Sequence, residues 1–319
     1  GASDDALRVF DAPTAWRFLP RQSIKSEPGS LVTGRNASYG APVSWWLDEE
    51  AAGGRAEITI LDGDGDVVRT LRGPAAPGLS RVYWDLRGET PDRATLRTRP
   101  PERDWVEMGE DGQRRIRTWD LDIFPGYRGL LQPPGSYTAR VTVGEHTAET
   151  VLRVEADPAS AATPDDIREK YAFLNAIHAQ LNELAEMVDE LEWVRREIEG
   201  LRERHAGDER FAALLESAGE IAGTAIAIEG RFFDVGLTGA REDAFRAPMR
   251  LFGRLGALAN DAGRDGADFA PTDQQREVHE ILTERFESAR TEYRRLMDEQ
   301  LPPFWRALAD ARAAGGGSR

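Results

Sequence analysis

The amino-acid sequence predicts an α+β protein of two domains, an antiparallel β-sandwich followed by an antiparallel α-helical bundle. Three observations carry this prediction. The chain has 319 residues, which is about two domains at roughly 100–200 residues each. Short runs of alternating apolar and polar residues fill the part before about residue 160, and apolar residues at helical spacing fill the part after it. Hydrophobic residues make up 40% of the chain, enough for two cores.

The predicted sandwich is of the Ig-like type and occupies residues 40–157. Short strands separated by turn residues are typical of such a fold. Residues 62–65 (DGDG) predict a hairpin turn, and the adjacent Trp45 and Trp46 must face opposite sides of their strand. Residues 87–132 show no sustained period and are predicted to form a long insertion. The predicted strands are 42–47, 55–61, 66–71, 79–86, 136–143 and 147–154.

The predicted helical bundle occupies residues 163–312 and opens with a helix start. Thr163 is a good N-cap, Pro164 suits the first helical position, and Asp166 can complete a capping box. Apolar residues then recur at a mean spacing close to the 3.5 residues of a coiled coil, so we expect a helix that continues nearly to Gly207. Long helices joined by short breaks are typical of an antiparallel bundle. The other predicted helices are 208–229, 242–262 and 272–300, the last with a capping box of Thr272 and Gln275 and an end before Pro302 and Pro303.

The apolar stripe on the first long helix allows two interpretations. It either folds back into a bundle within the chain, which we favour, or pairs with a second copy or another protein. Arg195 occupies a position where the stripe would place an apolar residue, and Trp193 lies off the stripe. Both residues are therefore predicted to mark an edge of the packed face.

Composition excludes several classes of function. The chain contains no cysteine, which excludes disulfides, thiolate metal sites and a cysteine nucleophile. Its net charge is −15, which argues against nucleic acid and anionic lipid as partners, because both are bound by basic surfaces. No apolar run approaches the ~20 residues of a membrane-spanning helix, so we expect no membrane insertion. The sequence also contains neither a phosphate-binding loop nor a nucleophile elbow.

The strongest metal-binding pattern is the alternating series Asp62, Asp64 and Asp66. Carboxylates at alternate positions resemble the start of a calcium loop. The twelfth position of such a loop, however, holds Gly73 in place of the closing acid, and a hairpin turn explains the series without a metal. We therefore favour the turn, keep weak calcium binding as the alternative, and expect no other cofactor. The four histidines lack metal-ligand spacing and are predicted to lie on ordinary surfaces and helix faces.

Aromatic residues are concentrated in the first half of the chain, and Trp105, Trp119 and Tyr127 fall in the predicted insertion. Exposed aromatic rings on a sandwich loop can stack on sugar rings, so these three residues are the candidate glycan-binding site. The alternative, which we favour, is that they pin the insertion against the rest of the protein.

Several stretches carry a family resemblance. Residues 56–71 (AEITILDGDGDVVRTL), 78–87 (GLSRVYWDLR) and 133–143 (PPGSYTARVTV) resemble the Ig-like sandwich of the flagellar hook-capping type. Together with residues 7–18 (LRVFDAPTAWRF) and 39–42 (YGAP), they resemble the C-terminal region of bacterial BNR-repeat, sortilin-like β-propeller proteins, which are often labelled glycosyl hydrolase-like. In those proteins a propeller precedes the sandwich, and a helical region follows it.

The resemblance implies that the catalytic chemistry of such proteins lies outside this chain. The Asp-box of their propellers (S/T-x-D-x-G-x-x-W/F) does not occur in the sequence, so residues 1–39 are expected to be a linker from a missing upstream propeller. The resemblance also implies a secreted, periplasmic or cell-envelope location. We expect a non-catalytic accessory module that mediates assembly or partner binding, through the propeller or through its helices. The alternatives are a glycan-binding module and a part that completes a glycosidase-like active site.

Overall fold

A computed structural model describes residues 6–18, 37–114, 128–240, 242–264 and 268–316. These residues form an α+β fold in which strands precede helices. The chain divides into two compact units. The sheet unit comprises residues 1–90, 128–175 and 263–271, and the helical unit comprises residues 91–127, 176–262 and 272–319. Residues 91–114, the described part of this segment of the predicted insertion, thus group with the helices.

The described strands form two sheets. They are β1 (Leu7–Val9), β2 (Ala15–Arg17), β3 (Ala41–Leu47), β4 (Arg55–Leu61), β5 (Val67–Pro74), β6 (Gly78–Trp84), β7 (Gly135–Val143) and β8 (His146–Ala156). The three-stranded sheet has the order β1-β3-β6 and is antiparallel, and the five-stranded sheet has the order β2-β8-β7-β4-β5. The six predicted strands are β3 to β8, with ends that differ by up to three residues.

The five-stranded sheet is mixed, because β2 pairs with β8 in parallel. This corrects the prediction of purely antiparallel sheets. Both β1 and β2 lie in the stretch that the sequence analysis assigns to a linker. Each has three residues, too few to show a period of two, and each is stabilised by pairing with a longer strand, β3 or β8.

One hydrophobic core receives side chains from both sheets. Trp45 and Trp84 of the three-stranded sheet are fully buried, as are Ile58 and Val141 of the five-stranded sheet, and all four belong to one cluster. The neighbouring Trp46 points outward and is 38% exposed. The predicted opposition of the two tryptophans is therefore confirmed, with Trp45 in the core.

The helices follow the strands in chain order. They are α1 (Pro164–Arg204), α2 (Ala212–Phe232), α3 (Asp243–Arg246), α4 (Leu251–Arg264), α5 (Asp273–Arg294) and α6 (Leu301–Gly316). The predicted cap of α1 is confirmed, since Thr163 Oγ1 accepts from Asp166 N at 3.1 Å and Asp166 Oδ2 accepts from Thr163 N at 2.8 Å. The capping box of Thr272 and Gln275 is also present.

Two helix predictions are wrong in detail. The predicted helix 242–262 is divided into α3 and α4, because Ala247 precedes a proline and adopts an extended conformation (φ −143°, ψ 149°). Pro302 and Pro303 do not interrupt the last helix but lie in the first turn of α6. A π-helical turn, Arg295–Gln300, joins α5 to α6, and Leu301 N donates to Leu296 O across it.

Side-chain contacts give the helix directions in the helical unit. Gln180 Nε2 of α1 donates to Thr283 Oγ1 of α5 at 3.0 Å, and Tyr293 of α5 bonds Glu190 of α1. The residue numbers rise together, so α1 and α5 are parallel. Arg231, near the end of α2, donates to Ser288 of α5 at 2.9 Å. Earlier residues of α2 lie close to α6, which follows α5 in the chain. Helix α2 is therefore antiparallel to the α5–α6 segment.

Candidate functional site

The outer face of the three-stranded sheet carries the most prominent exposed side chains of the sheet unit. Alternation along β3 buries Trp45 and turns Ser44 and Trp46 outward. On β6 the outward residues include Arg81 and Tyr83. The register pairs Pro42 with Tyr83, Ser44 with Arg81, and Trp46 with Leu79. We call the surface made by Pro42, Ser44, Trp46, Leu79, Arg81 and Tyr83 the outer face.

An open cleft of about 540 Å³ lies on this face. Leu79 is 69% exposed and Tyr83 is 41% exposed, so apolar surface is available in and around the cleft. Arg81 is held in place, because its Nε donates to Ser44 Oγ at 2.8 Å. Phe10 is fixed by its backbone, whose N–H donates to Ser44 O at 2.9 Å. The cleft is lined in part by Phe10, Asp11, Thr14, Ser44, Arg81 and Tyr83.

The chemistry of the cleft suits binding. Its aromatic rings offer flat apolar surface, the guanidinium of Arg81 offers donors, and Asp11, Thr14 and Ser44 offer oxygen acceptors. A hydrolytic site would need a positioned acid–base pair or an activated nucleophile. Asp11 is exposed and lines the same cleft as Arg81 and Ser44, and Ser44 already accepts from Arg81. These groups can hold a ligand through hydrogen bonds and charge.

The predicted calcium residues lie on the hairpin turn between β4 and β5, which confirms the predicted turn. Asp62 Oδ1 accepts from Asp64 N at 3.0 Å and from Asp66 N at 2.9 Å. The Asp62 carboxylate therefore stabilises the turn, while Asp64 and Asp66 are exposed. Within the described ranges, no group of three His, Asp or Glu side chains is arranged to hold a metal ion.

The predicted glycan-binding residues have different outcomes. Trp105 lies in a turn of the helical unit and is 70% exposed, so it does not pin the insertion. Trp119 and Tyr127 lie outside the described residues. Trp193, which the sequence places off the apolar stripe, is also exposed, and the Arg97 guanidinium lies 4.6 Å from the centre of its ring.

The helical unit contains four buried charged side chains that were not predicted from the sequence. We call them the buried charge cluster: Arg114, Glu192, Arg195 and Glu229. Arg195 Nη1 donates to Glu229 Oε2 at 2.5 Å and to Glu192 Oε1 at 3.2 Å. Arg195 is buried, so the prediction that it marks an edge of the packed face is wrong. The spacing of Glu192 and Arg195, three residues apart on one helix, is the sequence signal that could have revealed a pair.

The buried charge cluster fixes loops to helices. Glu192 Oε2 accepts from Arg97 N at 2.6 Å and from Thr98 N at 2.7 Å, and Arg114 Nη1 donates to Leu237 O at 2.8 Å. Charged groups in a dry interior need such partners, because removal from water costs several kcal/mol per ion. The cluster of two arginines and two glutamates thus attaches residues 97–98 and residue 237 to α1.

Burial shifts the protonation of this cluster. Desolvation raises the pKa of Glu229 to about 8, although Arg195 and Arg114 oppose the shift. Desolvation likewise lowers the pKa of Arg114 to about 10. Glu229 Oε1 has no hydrogen-bond partner among the described residues, so burial of this carboxyl is only partly offset by its contact with Arg195. Elsewhere on α1, burial lowers the pKa of His178 to about 4.

Glu229→Gln should flatten the pH dependence of stability. An acid whose folded pKa lies above its unfolded value of about 4.3 stabilises the fold at low pH, and that contribution is lost as pH rises through about 8. We therefore expect the free energy of unfolding of the natural protein to fall between pH 5 and pH 8 relative to the variant. Urea unfolding of both proteins across this range measures the difference, and parallel pH profiles would contradict the assignment.

Comparison of the chain with protein-family models, with curated proteins and with solved structures finds no match. The resemblance to propeller-associated sandwich proteins consequently stays a prediction from the quoted motifs.

Proposed function

We propose that this protein is a non-catalytic accessory module that binds a protein partner through the outer face. The observation that carries the proposal is the exposure of Trp46, Leu79 and Tyr83 on one side of a sheet, around the fixed guanidinium of Arg81. Trp, Tyr and Arg are the residues that dominate binding energy at protein interfaces. Rigid strands hold them in a fixed arrangement, which lowers the entropy lost on binding.

The proposal includes the finer fold, an Ig-like sandwich followed by a helical bundle, in a protein of the propeller-associated kind. The single core shared by the two sheets supports the sandwich, and the contacts among α1, α2 and α5 support the bundle. The resemblance makes the propeller of the same protein the favoured partner and an exported location the favoured setting.

Tyr83→Ala should reduce partner binding at least tenfold, the loss expected for a central aromatic contact. Val151→Ala is the matched control, because Val151 is an exposed strand residue of the other sheet and is 56% exposed. A photo-crosslinking amino acid placed at position 83 or position 151, followed by mass spectrometry, identifies the partner. Binding assays of the natural chain and both variants then measure the loss. Equal crosslinking from both positions, or unchanged binding by the Tyr83 variant, would refute the proposal.

Glycan binding is the second candidate, favoured by the exposure of Trp105 in the helical unit. An exposed tryptophan can stack on a sugar ring without rearrangement of the fold. A glycan array probed with the natural chain, with Trp105→Ala and with Tyr83→Ala separates the two candidates. Array binding that depends on Trp105 alone would favour glycan recognition, whereas no array binding would leave the protein-partner proposal as the explanation of the outer face.

A further inference from the structure

The second helix of the helical unit contains an apolar segment whose larger side chains are not all buried. An 18-residue window within Glu209–Phe232 has a mean hydropathy of 1.4, and the helix is long and apolar enough to cross a membrane by length and composition alone. Glu216 and Glu220 divide the apolar residues of this segment into short runs, so the sequence shows no single long apolar run there. Within that window 28% of the residues are buried, and the side chains of Leu214, Leu215 and Ile226 are half-buried.

A groove of about 520 Å³ runs between this helix and α6. Its α2 wall is formed by Leu214, Ser217, Ile221 and Thr224, which follow steps of three and four residues and so lie on one face of the helix. Phe304 and Ala307 belong to the α6 wall. Two helices that present such a face to a shared groove provide the geometry in which a third helix packs.

The charges around the groove indicate which kind of partner it can bind. Glu220 of α2 lines the groove. Glu216 is an exposed residue of the same helix, and Glu299 is exposed next to the lining residue Gln300. Arg231, the basic residue of α2, pairs with Glu292 at 2.6 Å. A second copy packed through α2 would bring glutamates together, and an anionic membrane would repel a chain of net charge −15. Acidic flanks favour an occupant with basic flanks.

We propose that the groove between α2 and α6 binds an amphipathic helix of a partner protein, with apolar residues on one face and Lys or Arg on its flanks. Leu214, Pro303 and Ala307, which line the groove and are half-buried or exposed, would contact the apolar face of that helix, and Glu216 and Glu220 would attract its cations. This surface belongs to the helical unit and is independent of the outer face, so either proposal can fail without the other.

The test is a fluorescence anisotropy titration of the full chain with a labelled peptide of about 18 residues, roughly 27 Å as a helix. The peptide carries Leu at steps of three and four residues and Lys at the other positions. We expect it to bind, to bind more weakly at high salt, and to bind at least tenfold more tightly than a scrambled peptide of the same composition. Equal binding of the scrambled peptide, or no binding, would overturn the proposal.

Two variants locate the site. Ser217 is exposed and lines the groove, so Ser217→Arg should block the peptide by size and charge and weaken binding at least tenfold. Ala227→Arg adds the same charge at an exposed position of α2 that does not line the groove, and should retain binding within about twofold. Equal losses from both variants would indicate general attraction between charges and would overturn the proposal. So would a dimer of the natural chain that Ser217→Arg dissociates, or binding to anionic lipid vesicles that Ser217→Arg abolishes.

Discussion

Arg195→Met is expected to lower the free energy of unfolding of the helical unit by about 3–5 kcal/mol, the cost of removing one partner from a buried ion pair. The substitution keeps most of the side-chain volume, so the effect comes from charge and not from a cavity. It would leave Glu192 and Glu229, both completely buried, with Arg114 as the remaining cation of the cluster. It would also remove the donor to Arg99 O at 3.2 Å. Urea unfolding monitored by circular dichroism measures the loss.

Two further variants make this prediction specific to charge. Arg196→Met changes the neighbouring, exposed arginine on the same helix, and should alter the free energy of unfolding by no more than about 0.5 kcal/mol. The double variant Arg195→Met/Glu229→Gln removes one cation and one potential anion together, which restores the balance of Arg114 with Glu192. We expect the double variant to be more stable than Arg195→Met alone. A double variant whose losses simply add would show that Glu229 and Arg195 are not coupled.

The buried charge cluster shows where sequence reasoning stops. The apolar period of α1 is visible in the sequence, and it predicts the helix and its start at Thr163 correctly. A charged residue on that stripe, however, has two physical outcomes, an exposed edge or a buried partner. The choice depends on Glu229, 34 residues away, and on Arg114 in a segment without a period. No local pattern encodes contacts between such distant residues.

The outer face is predictable in part for a related reason. Alternation along a strand predicts that the side chains of Trp45 and Trp46 point to opposite faces of the sheet. Which of the two is buried depends on the side on which the second sheet lies. The pairing of Trp46 with Leu79 and of Ser44 with Arg81 depends on strand register, which hydrophobic pattern and turn geometry set together. The parallel pairing of β2 with β8 could not be predicted from the sequence, because a strand of three residues is too short to show an alternating apolar pattern.

Gly40→Ala is expected to destabilise the sheet unit by about 3 kcal/mol or more. Gly40 has φ +108°, where an L side chain is strained by about 1–2 kcal/mol. A methyl group on its Cα would also lie 2.0 Å from the carbonyl oxygen and 2.8 Å from the carbonyl carbon of Trp84. Backbone atoms cannot rotate away as a flexible side chain would, so β3 and β6 would have to separate, and overpacking of this kind adds roughly 1–3 kcal/mol.

Comparison with Gly65→Ala separates the two causes of the loss in Gly40→Ala, which are the close contact with Trp84 and the backbone strain. Gly65 lies in the β4–β5 turn with φ +89°, and a methyl group there would have no neighbour within 4 Å. The Gly65 variant should therefore lose only the strain of about 1–2 kcal/mol, while the Gly40 variant loses clearly more. Urea unfolding followed by tryptophan fluorescence reports on the core around Trp45 and Trp84. Equal losses would mean that the chain relieves the contact at Trp84, whereas a larger loss at Gly40 explains physically why the YGAP segment requires glycine before β3.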